Sequence, residues 1–388
     1  LPFRFYKSIN TWISVDQIPD FQAMNHPLLH ALAFSQMHGV NAYLKAALIK
    51  KYGSAYAIYQ ERQKGSDAFK NLETNARETI LAAWPFNAAN AELAVMSRNG
   101  IDAICLEDPA YPNRLYQCED APSLLFLKGS KKWNLPHLVS IVGTRNHSMY
   151  AEKVIQELLE GLAHLNLGIV SGLALGIDGM VHQKACQLNM PNWGVTATGL
   201  DTIYPTQHQA LANKMLKYGG LISENPSATP PLPFQFPKRN RIVAGMADVT
   251  IVIESAIHGG SMITAGLARG YHREVFAVPG KIFDPKSKGC LALMQSNTAQ
   301  IYQSPTQLLE CLGWALAESK GLKQQDLAFT LTPICQEILR FIALQSPIHR
   351  DQLANRFNLN IALLSTHLLT LELNGLILPH GGAFYSIR

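Results

Sequence analysis

The chain has neither paired nor metal-spaced cysteines. Its six cysteines, at 105, 118, 186, 290, 311 and 335, are scattered, with no CxxC and no His/Cys cluster at ligand spacing. That excludes a disulfide framework and a zinc site and fits a reducing cytosol. No apolar run approaches the ~18 residues of a membrane helix. Near the start, Arg4 and Lys7 are followed by polar Asn10 and Thr11, which interrupt the run a signal peptide needs. A cytoplasmic protein with no membrane contact is expected. Charge is sparse, 16% against 47% hydrophobic in 388 residues, which excludes bulk disorder and leaves core for two or three domains. The G-x-S-x-G elbow of a hydrolase is missing, and Ser261, His258 and Asp178 make a triad only on paper. No catalytic residue, metal or cofactor is expected.

What charge there is has a sign and a place. The net charge is +5, and residues 121–300 hold 16 Lys/Arg against 10 Asp/Glu, a net of +6. A mid-chain basic excess attracts polyanions weakly; a solvated basic surface without a partner accounts for it equally well.

Residues 28–98 read as helices, broken at His38-Gly39. A helix–glycine turn–helix resembles the helix-hairpin-helix unit that grips nucleic-acid backbones, but with one glycine a plain bundle turn is the favoured reading. From about 101 short apolar runs alternate with helical periods. Strands are expected at 138–142, 168–170, 193–198, 220–223, 249–253 and 274–278, and Val154, Ile155, Leu158, Leu159, Leu162 and Leu165 form a helical stripe. Val/Ile-rich strands without strict alternation, separated by helices, mean an α/β doubly wound parallel sheet, Rossmann-like, over 101–312. It is flanked by an N-terminal helical domain (1–100), a polar linker (313–329) and a C-terminal domain (330–388). That last domain reads as helices 334–344, 350–356 and 361–374 and two short strands around Gly381-Gly382, a winged helix. The recognition-helix position, "IALLSTHLLTLELNG", has no Lys or Arg, which favours protein contact or packing over groove reading.

In an open parallel sheet ligands sit at the carboxyl ends of the strands. Here those ends lead into Gly143-Thr144-Arg145, Ser171-Gly172 with Gly176 and Asp178, Gly199, Glu224, Glu254 with Gly259-Gly260-Ser261, and Pro279-Gly280-Lys281. Glycines let backbone amides approach an anion, and a helix start near Met262 adds its dipole, with Thr264 supplying a first-turn hydroxyl. The stretch "LPFQFPKRNRIVAGMADV" places Lys238, Arg239 and Arg241 around Asn240, before an apolar helix. Phe234 and Phe236 precede them; packing in the core is the plainer role for each ring, stacking on a base the alternative. A dinucleotide loop, G-x-G-x-x-G, carries no cation of its own. Here four cations, Arg145, Lys238, Arg239 and Arg241, are expected on loops of one crevice. Several cations with several amide nests suit consecutive phosphates, as in single-stranded nucleic acid.

At these residues the chain resembles the DNA-processing protein A family, also called DprA or Smf. "VGTRNHSMYA", "SGLALGIDGMVH", "TGLDTIYP", "LISENP", "FPKRNRIVAG", "VIESAIHGGSMITAGLA" and "VFAVPG" are similar to its motifs in the expected order, from about 105 to 300. The resemblance implies a non-enzymatic protein of natural transformation. Such a protein binds single-stranded DNA without sequence preference, loads a RecA-type recombinase and acts as a homodimer through the Rossmann-like domain. It places the DNA pocket at Arg145 and at Lys238, Arg239 and Arg241. One stretch departs: "GCLALMQSNTAQ" has Leu291 for the usual Asn and Asn297-Thr298-Ala299 for a glycine turn, which leaves open whether the 290–299 loop joins the pocket. The competing expectation is an enzyme that cleaves the base from nucleoside monophosphates, with Glu224 and Glu254 as its carboxylates; ion pairing with pocket arginines is the structural role weighed against it.

Overall fold

The computed structural model describes residues 26–314, 332–373, 376–380 and 383–387. Most of the expected linker and the Gly381-Gly382 pair lie outside the described residues. The chain divides into two compact units, Leu1–Leu312 and Gly313–Arg388.

The first unit opens with α1 (Pro27–Ser35), α2 (Ala42–Tyr52), α3 (Ala55–Gln63), α4 (Thr74–Leu81) and α5 (Phe86–Asn99). Glycine ends two of them in the left-handed conformation, Gly53 at φ 91° and Gly100 at φ 60°. The His38-Gly39 break falls between α1 and α2, with Gly39 at φ 94°. Leu32, Phe34, Ile58 and Trp84 of this helical segment share one apolar cluster with Leu125 and Phe126 of the sheet.

The sheet is built from β1 (Asp102–Cys105), β2 (Leu124–Gly129), β3 (His137–Val142), β4 (Leu167–Ser171), β5 (Asn192–Val195), β6 (Gly220–Ser223), β7 (Val249–Val252), β8 (Glu274–Ala277) and β9 (Gln300–Ile301). The helices between them are α6 (Asn113–Tyr116), α7 (Met149–Leu162), α8 (Ile177–Gln187), α9 (Gln209–Met215), α10 (Gln235–Gly245), α11 (Gly260–Gly270) and α12 (Lys288–Gln295), followed by α13 (Pro305–Leu312). The strand order is β1-β2-β6-β5-β4-β3-β7-β8-β9. From β6 to β9 every pairing is parallel, as the apolar runs predict; β4, β5 and β7 are buried at every residue. β1 and β2, which the apolar pattern does not reveal, add an antiparallel edge on β6. The third expected strand, 193–198, forms β5 and ends at Val195.

Helix α7 shows how the layers form. The Ser148 side chain caps it, accepting from the Ala151 amide at 3.3 Å, and its Val154, Ile155, Leu158, Leu159 and Leu162 stripe is buried on the sheet. The chain winds outward from β3 through β4 to β6 on one side, then returns to β7 on the other side of β3. The order therefore reverses between β3 and β7, and a crevice opens beyond their carboxyl ends.

In the second unit, α14 (Pro333–Gln345), α15 (Arg350–Phe357) and α16 (Ile361–Leu373) surround a core of Cys335, Ile338, Ile342, Leu353, Leu364 and Leu368. A small sheet closes it: β10 (Ile348–His349), β11 (Ile377–His380) and β12 (Phe384–Ile387) in the order β10-β12-β11. This is a winged helix. On α16 the apolar side chains Ile361, Leu363 and Leu369 are exposed. No helix of the described residues is long and apolar enough to cross a membrane.

Candidate nucleic-acid interface

The space at the switch point is a crevice of about 330 Å³. Gly143, Thr144 and Arg145 after β3 form one wall, and the first turn of α11, from Gly259 to Thr264, forms another. Gly172 after β4 lies at the floor with Asp178 of α8, and Phe236, Pro237, Arg239 and Asn240 of α10 close the side. Backbone bonds hold the first wall in place: the Thr144 amide donates to Glu254 O at 2.8 Å, and the Ile177 amide donates to Thr144 O at 3.2 Å.

The basic run is not a loop. Helix α10 starts at Gln235, ahead of all three cations. Pro237 hides that start, because proline in a first helical turn gives up no hydrogen bond that the helix would have made. At about 100° per residue, positions 238, 239 and 241 face three directions. Lys238 is exposed, its amine 5.2 Å from the Phe234 ring centroid. Arg239 turns inward and is 6% exposed; its guanidinium donates to Gly172 O and Val195 O, capping the ends of β4 and β5. Burial lowers its pKa to about 10, with Asp178 opposing the drop and Arg145 adding to it, so it stays charged at neutral pH. Arg241 points behind the crevice, where it donates to Glu224 Oε1 and Asp120 O. The convergence of four cations on one crevice is therefore corrected: Arg145 and Arg239 line it, Lys238 stands outside its lining, and Arg241 belongs to a buried network.

Arg145 makes no ion pair among the described residues and is exposed, 5.3 Å above the Phe236 ring. Phe236 is half-buried, and Tyr204 meets its edge at 5.9 Å. Neither phenylalanine is the core residue expected; Phe234 is 56% exposed.

The glycines divide by purpose. A β-carbon on Gly143 would lie 2.6 Å from Ile177, and one on Gly172 would lie 2.6 Å from Asp178 and 2.7 Å from the Arg239 guanidinium. These two are glycines because protein packs on them. A β-carbon on Gly260 would meet nothing within 4 Å. Helix α11 starts at Gly260, two residues before the expected position, so Gly260 and Ser261 occupy its first turn. Their amides find no acceptor among the described residues and, with the dipole, offer a place for an anion. The hydroxyls are engaged: Ser261 Oγ donates to Ser255 Oγ at 2.8 Å and Thr264 Oγ1 to Gly260 O at 3.5 Å. Asn240 Nδ2 donates to Gly260 O at 3.3 Å, tying α10 to α11. Ser171 is buried outside the lining, donating to Ile141 O at 2.6 Å.

The carboxylates serve the fold. Glu254 accepts from the Ser148 amide at 3.0 Å and from its hydroxyl, anchoring the start of α7. Glu224 holds Arg241. Burial raises the pKa of Asp178, with Arg239 opposing. His258 is exposed, so no nucleophile–base hydrogen bond joins Ser261, His258 and Asp178 among the described residues. None of residues 290–299 lines the crevice.

The reading from residues alone missed Asp178 as the buried partner of Arg239, and Pro237 and Ile263 as wall residues. An acidic residue in the first turn of a helix behind "SGLALG" was the available signal for Asp178. Nothing in the sequence marks Ile263.

A Rossmann-like sheet whose switch-point crevice holds an open guanidinium and an open helix start, carried with a winged helix, defines a class of doubly wound α/β proteins. The family model for DNA recombination-mediator protein A matches residues 102–313, and that for the DprA winged helix domain matches residues 323–383. The chain belongs to the DNA recombination-mediator protein A family. It is 33% identical to protein Smf of Escherichia coli over 315 residues, 79% of this chain and 83% of that protein. It is 38% identical to DNA processing protein DprA of Bacillus subtilis over 241 residues, 60% of this chain and 81% of that one. Among solved structures, DprA of Streptococcus pneumoniae aligns with a TM-score of 0.59 at 29% identity, covering 76% of this chain and 98% of that one. DNA processing protein A of Helicobacter pylori, studied for its single-stranded DNA binding mode, aligns at 0.50 and 28% identity, covering 55% and 95%.

Proposed function

We propose that this protein binds single-stranded DNA without sequence preference in the switch-point crevice and hands it to a RecA-type recombinase during natural transformation. It acts as a cytoplasmic homodimer and catalyses no reaction. The observation that carries the reading is Arg145, an open guanidinium over an aromatic face, opposite the free amides of Gly260 and Ser261. Cation and amides take phosphates, while the Phe236 face takes a base of any identity. Lys238 adds charge from outside the lining, and Arg239 holds the floor in shape while contributing its field. The binding mode studied in the Helicobacter pylori relative supports the ligand class. The division of labour follows modules at 1–100, 101–312 and 330–388. The winged helix, whose α16 has no Lys or Arg and exposes Ile361, Leu363 and Leu369, contacts protein rather than a DNA groove.

The test is a salt titration of binding to oligo-dT, to duplex DNA and to a nucleoside monophosphate. With two or three phosphates neutralised, the log–log slope for oligo-dT is about −1.5 to −2. Preferred binding of the mononucleotide, with no salt dependence, refutes the proposal.

A further inference from the structure

A second cavity, of about 730 Å³, runs along the outer face of α11. Tyr43 of α2, Gln117, Glu119, and Gly266, Leu267 and Gly270 of α11 line it. Ile263 lines both this groove and the crevice, and it is 46% exposed. We infer that bound single-stranded DNA does not stop at the crevice but passes over Ile263 and continues in the groove between α11 and α2. The inference rests on the crevice reading and extends it.

Three observations carry it. Gly266 and Gly270 are one turn apart, and a β-carbon on either would meet nothing within 4 Å. Glycine weakens a helix interior relative to alanine, and no packing among the described residues calls for it here. What the two glycines leave is bare helix backbone facing an open trough. Next, Tyr43 is 55% exposed at the edge of that trough, a flat ring offered to solvent where a base could stack. Finally, the charge is right at the far end. Exposed Arg269, with Arg273 and His272, gathers where α11 terminates, and Glu119 is the one carboxylate of the lining.

A docked protein helix would want an apolar stripe. Here Leu267 is half-buried and Ile263 is the only exposed large apolar residue of the lining after Tyr43. From Ile263 to Gly270 helix α11 rises about 10 Å at 1.5 Å per residue, room for about three further nucleotides at stacked spacing.

The experiment compares oligo-dT of about three nucleotides, matched to the two or three phosphates of the crevice, with oligo-dT of about twenty, by fluorescence anisotropy on the full chain. In Gly266→Glu/Gly270→Glu, a helix-favouring change on an exposed face, the long oligomer should lose about tenfold in affinity with the short one unchanged. Gly266→Lys/Gly270→Lys should tighten the long oligomer alone, and Tyr43→Ala should weaken it several-fold. Equal effects of the Glu pair on both lengths, or none on either, overturn the inference. So does a changed oligomeric state on size exclusion with long-oligomer affinity intact, which would assign the face to a second copy. If the unmutated protein fails to bind the short oligomer, the crevice reading itself falls; if only the length difference vanishes, the groove alone does.

Discussion

Arg145 and Arg241 read alike in the sequence, yet exchanging each for alanine should have opposite consequences. Arg145 is exposed and makes no ion pair among the described residues, so Arg145→Ala removes nothing the fold uses. A charged hydrogen bond to phosphate is worth about 1.5–3 kcal/mol. Single-strand affinity should therefore fall roughly 10- to 100-fold, with the melting temperature within a degree or so of the parent. Arg241 is the reverse case. Its side chain is 10% exposed, between Asp120 at 9% and Glu224 at 31%, and Tyr271 Oη donates to the same Asp120 at 2.8 Å. Removing one partner of a buried ion pair costs about 3–5 kcal/mol; solvent at Glu224 relieves part of the stranded charge, which leaves about 2–4 kcal/mol. For a unit of this size that is a fall of about 3–6 °C in melting temperature. Thermal melts and anisotropy on labelled oligo-dT, run on both variants at one salt concentration, separate the two. The reasoning fails if Arg241→Ala melts like the parent while losing DNA, or if Arg145→Ala lowers the melting point and leaves affinity untouched.

Two glycines make a second contrast. Gly260→Val enters open space and should keep parental stability while weakening oligo-dT binding at least severalfold, because the α11 amides become shielded; Gly172→Ala collides with Asp178 and Arg239 and should cost about 1–3 kcal/mol of stability in a urea titration. A third prediction concerns pH. Burial depresses His182 to about 4, its ring held 3.2 Å from Asn192 Oδ1. The unfolded chain takes up that proton near 6.5, so stability is full above 6.5 and is lost as pH falls toward 4, by about 3 kcal/mol. Urea midpoints at pH 7 and 4.5 should converge in His182→Gln relative to the parent; an unchanged gap argues against His182 as the source.

How much of this was legible beforehand depends on what each feature needs. The six inner strands announce themselves because a parallel strand is covered on both faces, and Val/Ile-rich runs broken only by a small hydroxyl residue, such as Val139–Val142 and Val249–Val252, suit that setting. β1 and β2 pair antiparallel with only the one-turn α6 between them, and β9 is two residues long, too short to carry any period. The winged helix was readable because its helices are bounded by Pro333, Pro347 and Asn360 and its wing by turn residues. For the site, the residue types could be read but the directions could not. Arg145 follows a strand end, where topology alone decides that it faces the crevice. Lys238, Arg239 and Arg241 sit on a helix whose phase depends on its first residue, and Pro237 makes that residue look like loop. A two-residue error in the start of α10 would turn every side chain on it by about 200°, enough to exchange a phosphate contact for a buried ion pair. Charge counted along a sequence therefore overstates the cations a ligand can meet. In this crevice Arg145 is the fully open one, and Arg239 stabilises the floor against which the ligand would lie.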